Sequence, residues 1–178
     1  MLKTIKLCAC IGIDNVYGMR KLLLLANIMA TALSAFAQTP SLVGTWVLTG
    51  ADKILPNGKQ VSDYGADPHG IVIFTADGRY VVEIFRSDRK KFASNDRANG
   101  TPDEYKDAIM STSAHFGHYT VDAEKSTITF KIDRASFPNW DDTARVSPFA
   151  LEGDTLTWRV PARRDGSIPV TILKRATP

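Results

Sequence analysis

Leu42-Val43-Gly44-Thr45-Trp46-Val47-Leu48 opens the first apolar, β-prone run that follows a hydrophobic leader. A Gly-x-Trp triplet at the start of a first strand points to an up-and-down β-barrel with one end plugged by the indole. Such a barrel keeps its function inside, in a cavity lined by alternate residues of every strand. The triplet alone is weak, so the rest of the chain has to carry the reading.

Turns and alternation carry it. The run Ile71-Val72-Ile73-Phe74-Thr75, the turn Ala76-Asp77-Gly78 and the segment Arg79–Phe85 read as a hairpin, because Asp-Gly between β-branched and aromatic runs is a strong hairpin signal. Ile128, Phe130 and Ile132 alternate with Thr127, Thr129, Lys131 and Asp133, and Leu156, Trp158 and Val160 alternate with Thr155, Thr157 and Arg159. Strands over 115–121, 143–151 and 170–173 complete the set. Between strands 3 and 4, Thr101-Pro102-Asp103-Glu104 announces one short helix, with Thr as N-cap, Pro at the first helical position and Glu closing a capping box. Tyr105, Ala108, Ile109 and Thr112 give that helix one largely apolar face. The expected fold is all-β, an eight-stranded antiparallel up-and-down barrel with one short helix between strands 3 and 4. Closure is preferred to a sandwich because it leaves no open edge.

Residues 1–37 are read as an N-terminal extension plus a secretory signal peptide. Met19-Arg20-Lys21 is a basic start, Leu22 to Leu33 is apolar apart from Asn27 and Thr31, and Ala35-Phe36-Ala37 is a small-x-small cleavage pattern. Met19 is the expected true start. The apolar stretch is shorter than the roughly 20 residues a bilayer span needs, so no membrane span is expected. The leader removes four basic residues and one acidic residue, taking the formal +3 to zero. Without a basic surplus, nucleic acid is not an expected partner. Cys8 and Cys10 leave with the leader too, so residues 38–178 form a single domain that rests on its core rather than on disulfides. The expected location is exported, periplasmic or extracellular in a bacterium.

Several further stretches are specific in combination: Gly70-Ile71-Val72-Ile73-Phe74-Thr75-Ala76-Asp77-Gly78, Arg86-Ser87-Asp88-Arg89, Gly100-Thr101-Pro102-Asp103-Glu104, Gly117-His118-Tyr119-Thr120-Val121-Asp122, Ser136-Phe137-Pro138-Asn139-Trp140 and Leu151-Glu152-Gly153-Asp154. Together with Gly44-Thr45-Trp46 they make the segment from Leu42 to Lys174 resemble the bacterial lipocalin-like domain, within the wider lipocalin and fatty-acid-binding-protein-like (calycin) barrels. Lys131 departs from the resemblance, standing where relatives often hold histidine. The resemblance implies a barrel that binds a small apolar or amphipathic molecule, and it brings no established reaction.

Arg145 is the residue of greatest interest. One face of its strand carries Arg145, Ser147, Phe149 and Leu151. If that face is inward, the guanidinium needs an anionic or hydrogen-bonding partner. That partner is a ligand carboxylate, or an internal acid such as Glu83; a wrong face assignment would instead leave Arg145 in solvent. His115 and His118, three apart on a strand, face opposite ways and do not make a shared metal site. Arg86, Asp88, Arg89, Asp96 and Arg97 read either as a ligand portal with the helix as lid, or as a salt-bridged cap; alternating signs favour the cap. Phe137 and Trp140 are expected to pack into the barrel end. Trp46 is expected as a core plug beneath Lys174 or Arg175.

No Gly-x-Ser-x-Gly, Rossmann fingerprint or phosphate loop occurs, so no catalytic residue, metal or cofactor is expected. The reading is a barrel holding a hydrophobic or amphipathic molecule, an anionic one included. Tyr80, His115, Tyr119, Arg145, Phe149 and Trp158 are the expected lining. The alternatives are an isomerase- or cyclase-type barrel enzyme using His115 and Arg145, and a filled barrel that binds a partner. Ligand identity and oligomeric state are not legible.

Overall fold

A computed structural model describes residues 41–177; the leader and its cleavage pattern lie outside the described residues. Nine antiparallel strands form one sheet: β1 (Gly44–Ile54), β2 (Gln60–Ser62), β3 (His69–Phe74), β4 (Arg79–Phe85), β5 (Thr112–Asp122), β6 (Thr127–Ala135), β7 (Thr143–Glu152), β8 (Thr155–Arg159) and β9 (Ile168–Arg175). Helix α1 spans Pro102–Met110, and a single 3-10 turn spans Pro138–Trp140. β1 closes the barrel by pairing with β9 from Trp46↔Arg175 to Ile54↔Ile168, across a bulge at Leu48/Gly50.

Eight strands make the barrel wall, as expected. The ninth, β2, pairs only with the far half of β1, where β3, which meets β1 over Gly44–Val47, no longer reaches. This short strand corrects the expected order: α1 lies between β4 and β5, not between strands 3 and 4.

Alternation places the core. Tyr80, Val82 and Ile84 of β4 are buried while Arg79, Val81 and Glu83 face out, and Ile128, Phe130 and Ile132 of β6 repeat the pattern. Aromatic rings fill the middle and lower barrel. Phe130 lies 4.9 Å from Tyr80 and 5.6 Å from Trp158, and Phe74 stands edge-on to Tyr119 at 4.7 Å.

The two ends differ. Tight turns at 75–78, 123–126 and 153–154 gather at one end, together with Trp46, which is wholly buried. The indole Nε1 donates to the Leu42 carbonyl at 2.9 Å. Arg175 supplies the cationic cover, its guanidinium 4.1 Å from the ring centroid and donating to the carbonyls of Val43 and Ser41. Of the two basic side chains expected there, Arg175 takes the place. The long connections 55–68, 86–101, 136–142 and 160–167 all lie at the other end.

The capping box forms: Thr101 Oγ1 accepts from Glu104 N, and Glu104 Oε2 accepts from Thr101 N at 2.7 Å. Yet α1 buries none of its residues, and Tyr105 keeps 41% of its surface exposed. Its apolar face meets the loop, with Phe92 edge-on to Tyr105. What fastens the helix is charge. Arg86 pairs with Asp88 and donates to Asp107 at 2.6 Å, while Arg89 lies over the Phe85 ring and donates to Ser111.

Candidate functional site

At the open end the barrel holds a cup of about 360 Å³. Its apolar wall includes Tyr64, Trp140, Val160 and Pro169. The rim carries a compensated charge cluster in which Asp63 accepts from Arg163 at 2.6 Å and Lys53 at 2.9 Å. Burial alone would raise the Asp63 carboxyl, but the two cations outweigh it and hold it below its ordinary range. Below the cup lies a smaller space of about 40 Å³. Arg145 borders both, so it stands where one opens into the other.

Period-2 geometry brings Arg145 there. On β7, Ser147 is fully buried and Phe149 and Leu151 half-buried, while Ala144, Val146 and Pro148 face solvent. Arg145 therefore faces inward, as its strand parity predicts. No ion pair among the described residues includes it. Glu83, the expected internal partner, points out from the opposite face of β4. Instead the guanidinium meets His115 Nε2 at 3.3 Å and lies 5.1 Å from the Trp140 ring centroid. Burial makes its charge costly, pulling the guanidinium below its ordinary value.

His115 is held from its other side by Tyr80, whose Oη lies 2.9 Å from Nδ1. Burial first, and then the Arg145 charge, push the imidazole down to about 3, so it is neutral at ordinary pH. Burial raises the Tyr80 phenol, which keeps its proton. The β5–β6 register shifts between Phe116 and Gly117, which pair with Arg134 and Ile132 and leave Asp133 of β6 as the extra, bulged residue. Gly117 is needed there because a Cβ would stand 2.0 Å from the Lys131 carbonyl oxygen.

Of the six expected lining residues, His115, Arg145 and Trp158 border the inner space, and Tyr80 stands behind His115. Tyr119 and Phe149 also face inward but sit toward the closed end. Tyr119 donates to the Thr75 carbonyl, and the Phe149 amide donates to the Ser126 carbonyl. They border neither the cup nor the inner space. His118 faces outward, against Arg79 and Asp133. Trp140 joins the cup, whereas Phe137 stays exposed and packs edge-on to Trp140 rather than into the barrel end. Tyr64, Val160 and Thr171 border the cup without having been expected there. Tyr64 lies in a turn-rich loop with no period, and the other two carry no local sign of height in the barrel. Ser147 borders the inner space, fully buried, its Oγ without a hydrogen-bond partner among the described residues.

A sequence profile of the lipocalin-like domain family matches residues 43–176. Among solved structures, the chain is similar to a lipocalin-like protein from Bacteroides uniformis ATCC 8492, with 14% identity and a TM-score of 0.41. That likeness covers 76% of this chain and 98% of the other. No curated protein matches the chain.

Proposed function

The chain belongs to the lipocalin-like domain family, and from that premise we propose that it is an exported protein that holds a small hydrophobic or amphipathic molecule in the cup at its open end. The observation that carries this reading is Arg145, a cation inside a largely apolar cavity with no acidic partner among the described residues. Apolar walls with a few convergent polar groups are what small-molecule sites present. A half-buried cation left without an anion favours a ligand that supplies one. Export rests on the leader at 19–37.

The enzyme reading with His115 and Arg145 is less well supported. His115 Nε2 is occupied by Arg145, and an imidazole pushed down to about 3 is a poor base near neutrality. The cup likewise counts against a filled, partner-binding barrel.

Native mass spectrometry of protein recovered from the periplasm of cells expressing the full chain tests the proposal. A retained small molecule is expected, and Arg145→Ala is expected to lose it with the fold intact. The loss of a hydrogen-bonded charge predicts affinity weaker by about tenfold or more. Protein that emerges bare, and that takes up neither charged nor neutral amphiphiles in titration, overturns it.

A further inference from the structure

Resting on the ligand-binding reading, we infer that the ligand is a monocarboxylate with a compact apolar body, seated acid group first. Its carboxylate lies between Arg145 and Ser147, and its body occupies the cup.

Three features of the cavity converge on this class. The inner space holds polar hydrogen that nothing uses. Ser147 is 0% exposed and its hydroxyl has no partner among the described residues, a state that costs free energy until an acceptor arrives. Arg145 borders the same space and bonds only an uncharged imidazole. Donors of this kind fit an acceptor with two oxygens, and a guanidinium matches a planar carboxylate.

Size then sets the orientation. About 40 Å³ is on the order of one or two waters. A carboxylate fits such a space; an alkyl chain or a ring does not. Beneath it, Phe130, Tyr80 and Trp158 close the barrel at ring separations of 4.9 and 5.6 Å. A long tail therefore has no channel to descend, and the apolar body must lie in the cup, against Trp140 and Val160. Methylenes beyond the cup return to water and add nothing.

The test is a calorimetric titration of the mature protein with hexanoate, octanoate, decanoate and palmitate, with 2-naphthoate, and with the methyl esters of octanoate and 2-naphthoate. Affinity is expected to climb by up to about fourfold per methylene while the cup fills, and to level off so that palmitate binds no more tightly than decanoate. Each ester is expected to bind at least about tenfold more weakly than its acid. Ser147→Ala is expected to weaken the acids by about threefold to tenfold, weaken the esters by less because their bond to the hydroxyl carries no charge, and leave the melting temperature equal or higher, because it removes an unpaired buried hydroxyl. Esters that match their acids, affinity that keeps rising to palmitate, or acids indifferent to Ser147→Ala overturn the inference while the binding function stands. Failure of every acid and every ester to bind overturns both.

Discussion

An arginine only donates hydrogen bonds, so the 3.3 Å contact between Arg145 and His115 makes Nε2 of the imidazole the acceptor. The ring proton then sits on Nδ1 and is donated to Tyr80 Oη. One tautomer satisfies both neighbours, and protonating the ring would set two cations side by side. That fixes a pH dependence. The unfolded chain takes up this proton near the ordinary imidazole value of 6.5, the folded chain only near 3. Between those values the unfolded state binds more protons, so stability falls as pH drops from 6.5 toward 3, by up to about 1.4 kcal/mol per pH unit, and is flat above. Urea midpoints at pH 7, 6 and 5 measure it. His115→Gln is expected to flatten this share of the slope, and an unchanged slope would refute the assignment.

Elements show what alternation can and cannot disclose. Arg145 was readable as inward because its strand partners Phe149 and Leu151 are apolar. Tyr119 and Phe149 obey the same parity yet lie toward the closed end, because a period of two reports the face and not the height along the barrel. Strand β2 was invisible for another reason: three residues with both outer ones exposed carry no period at all. The site itself could not be seen locally, since Tyr80, His115, Trp140 and Arg145 come from β4, β5, the 3-10 turn and β7. The helix start was legible because a capping box is local chemistry. What fastens α1 was not, because Asp107 meets Arg86 21 residues away. Glu104 takes the Thr101 and Ala93 amides together, so Glu104→Ala is expected to loosen the start of the helix. Faster amide exchange across 102–110 would reveal this, with the melting temperature of the barrel little changed because α1 buries no residue.

For the whole molecule, stability and binding occupy opposite ends. Trp46, Arg175 and the tight turns secure one end, and the cup lies at the other. Trp46→Ala is expected to cost about 3–5 kcal/mol, read as a lower urea midpoint, while the folded fraction keeps its ligand affinity. Arg145→Ala is expected to do the reverse. A Trp46 variant that loses affinity at unchanged stability would show that the two ends are not separate.

Every long connection leaves from the cup's rim and every tight turn from the base, so the barrel resembles a vessel whose lip can be recut without recasting its foot. Segments such as 160–167, which contribute Pro161, Ala162 and Arg163 to the cup, are where insertions or grafted loops would alter what is admitted. The same segments contribute nothing to the seam between β1 and β9. A lineage, or a designer, could exchange cargo there many times over while keeping one foldable base.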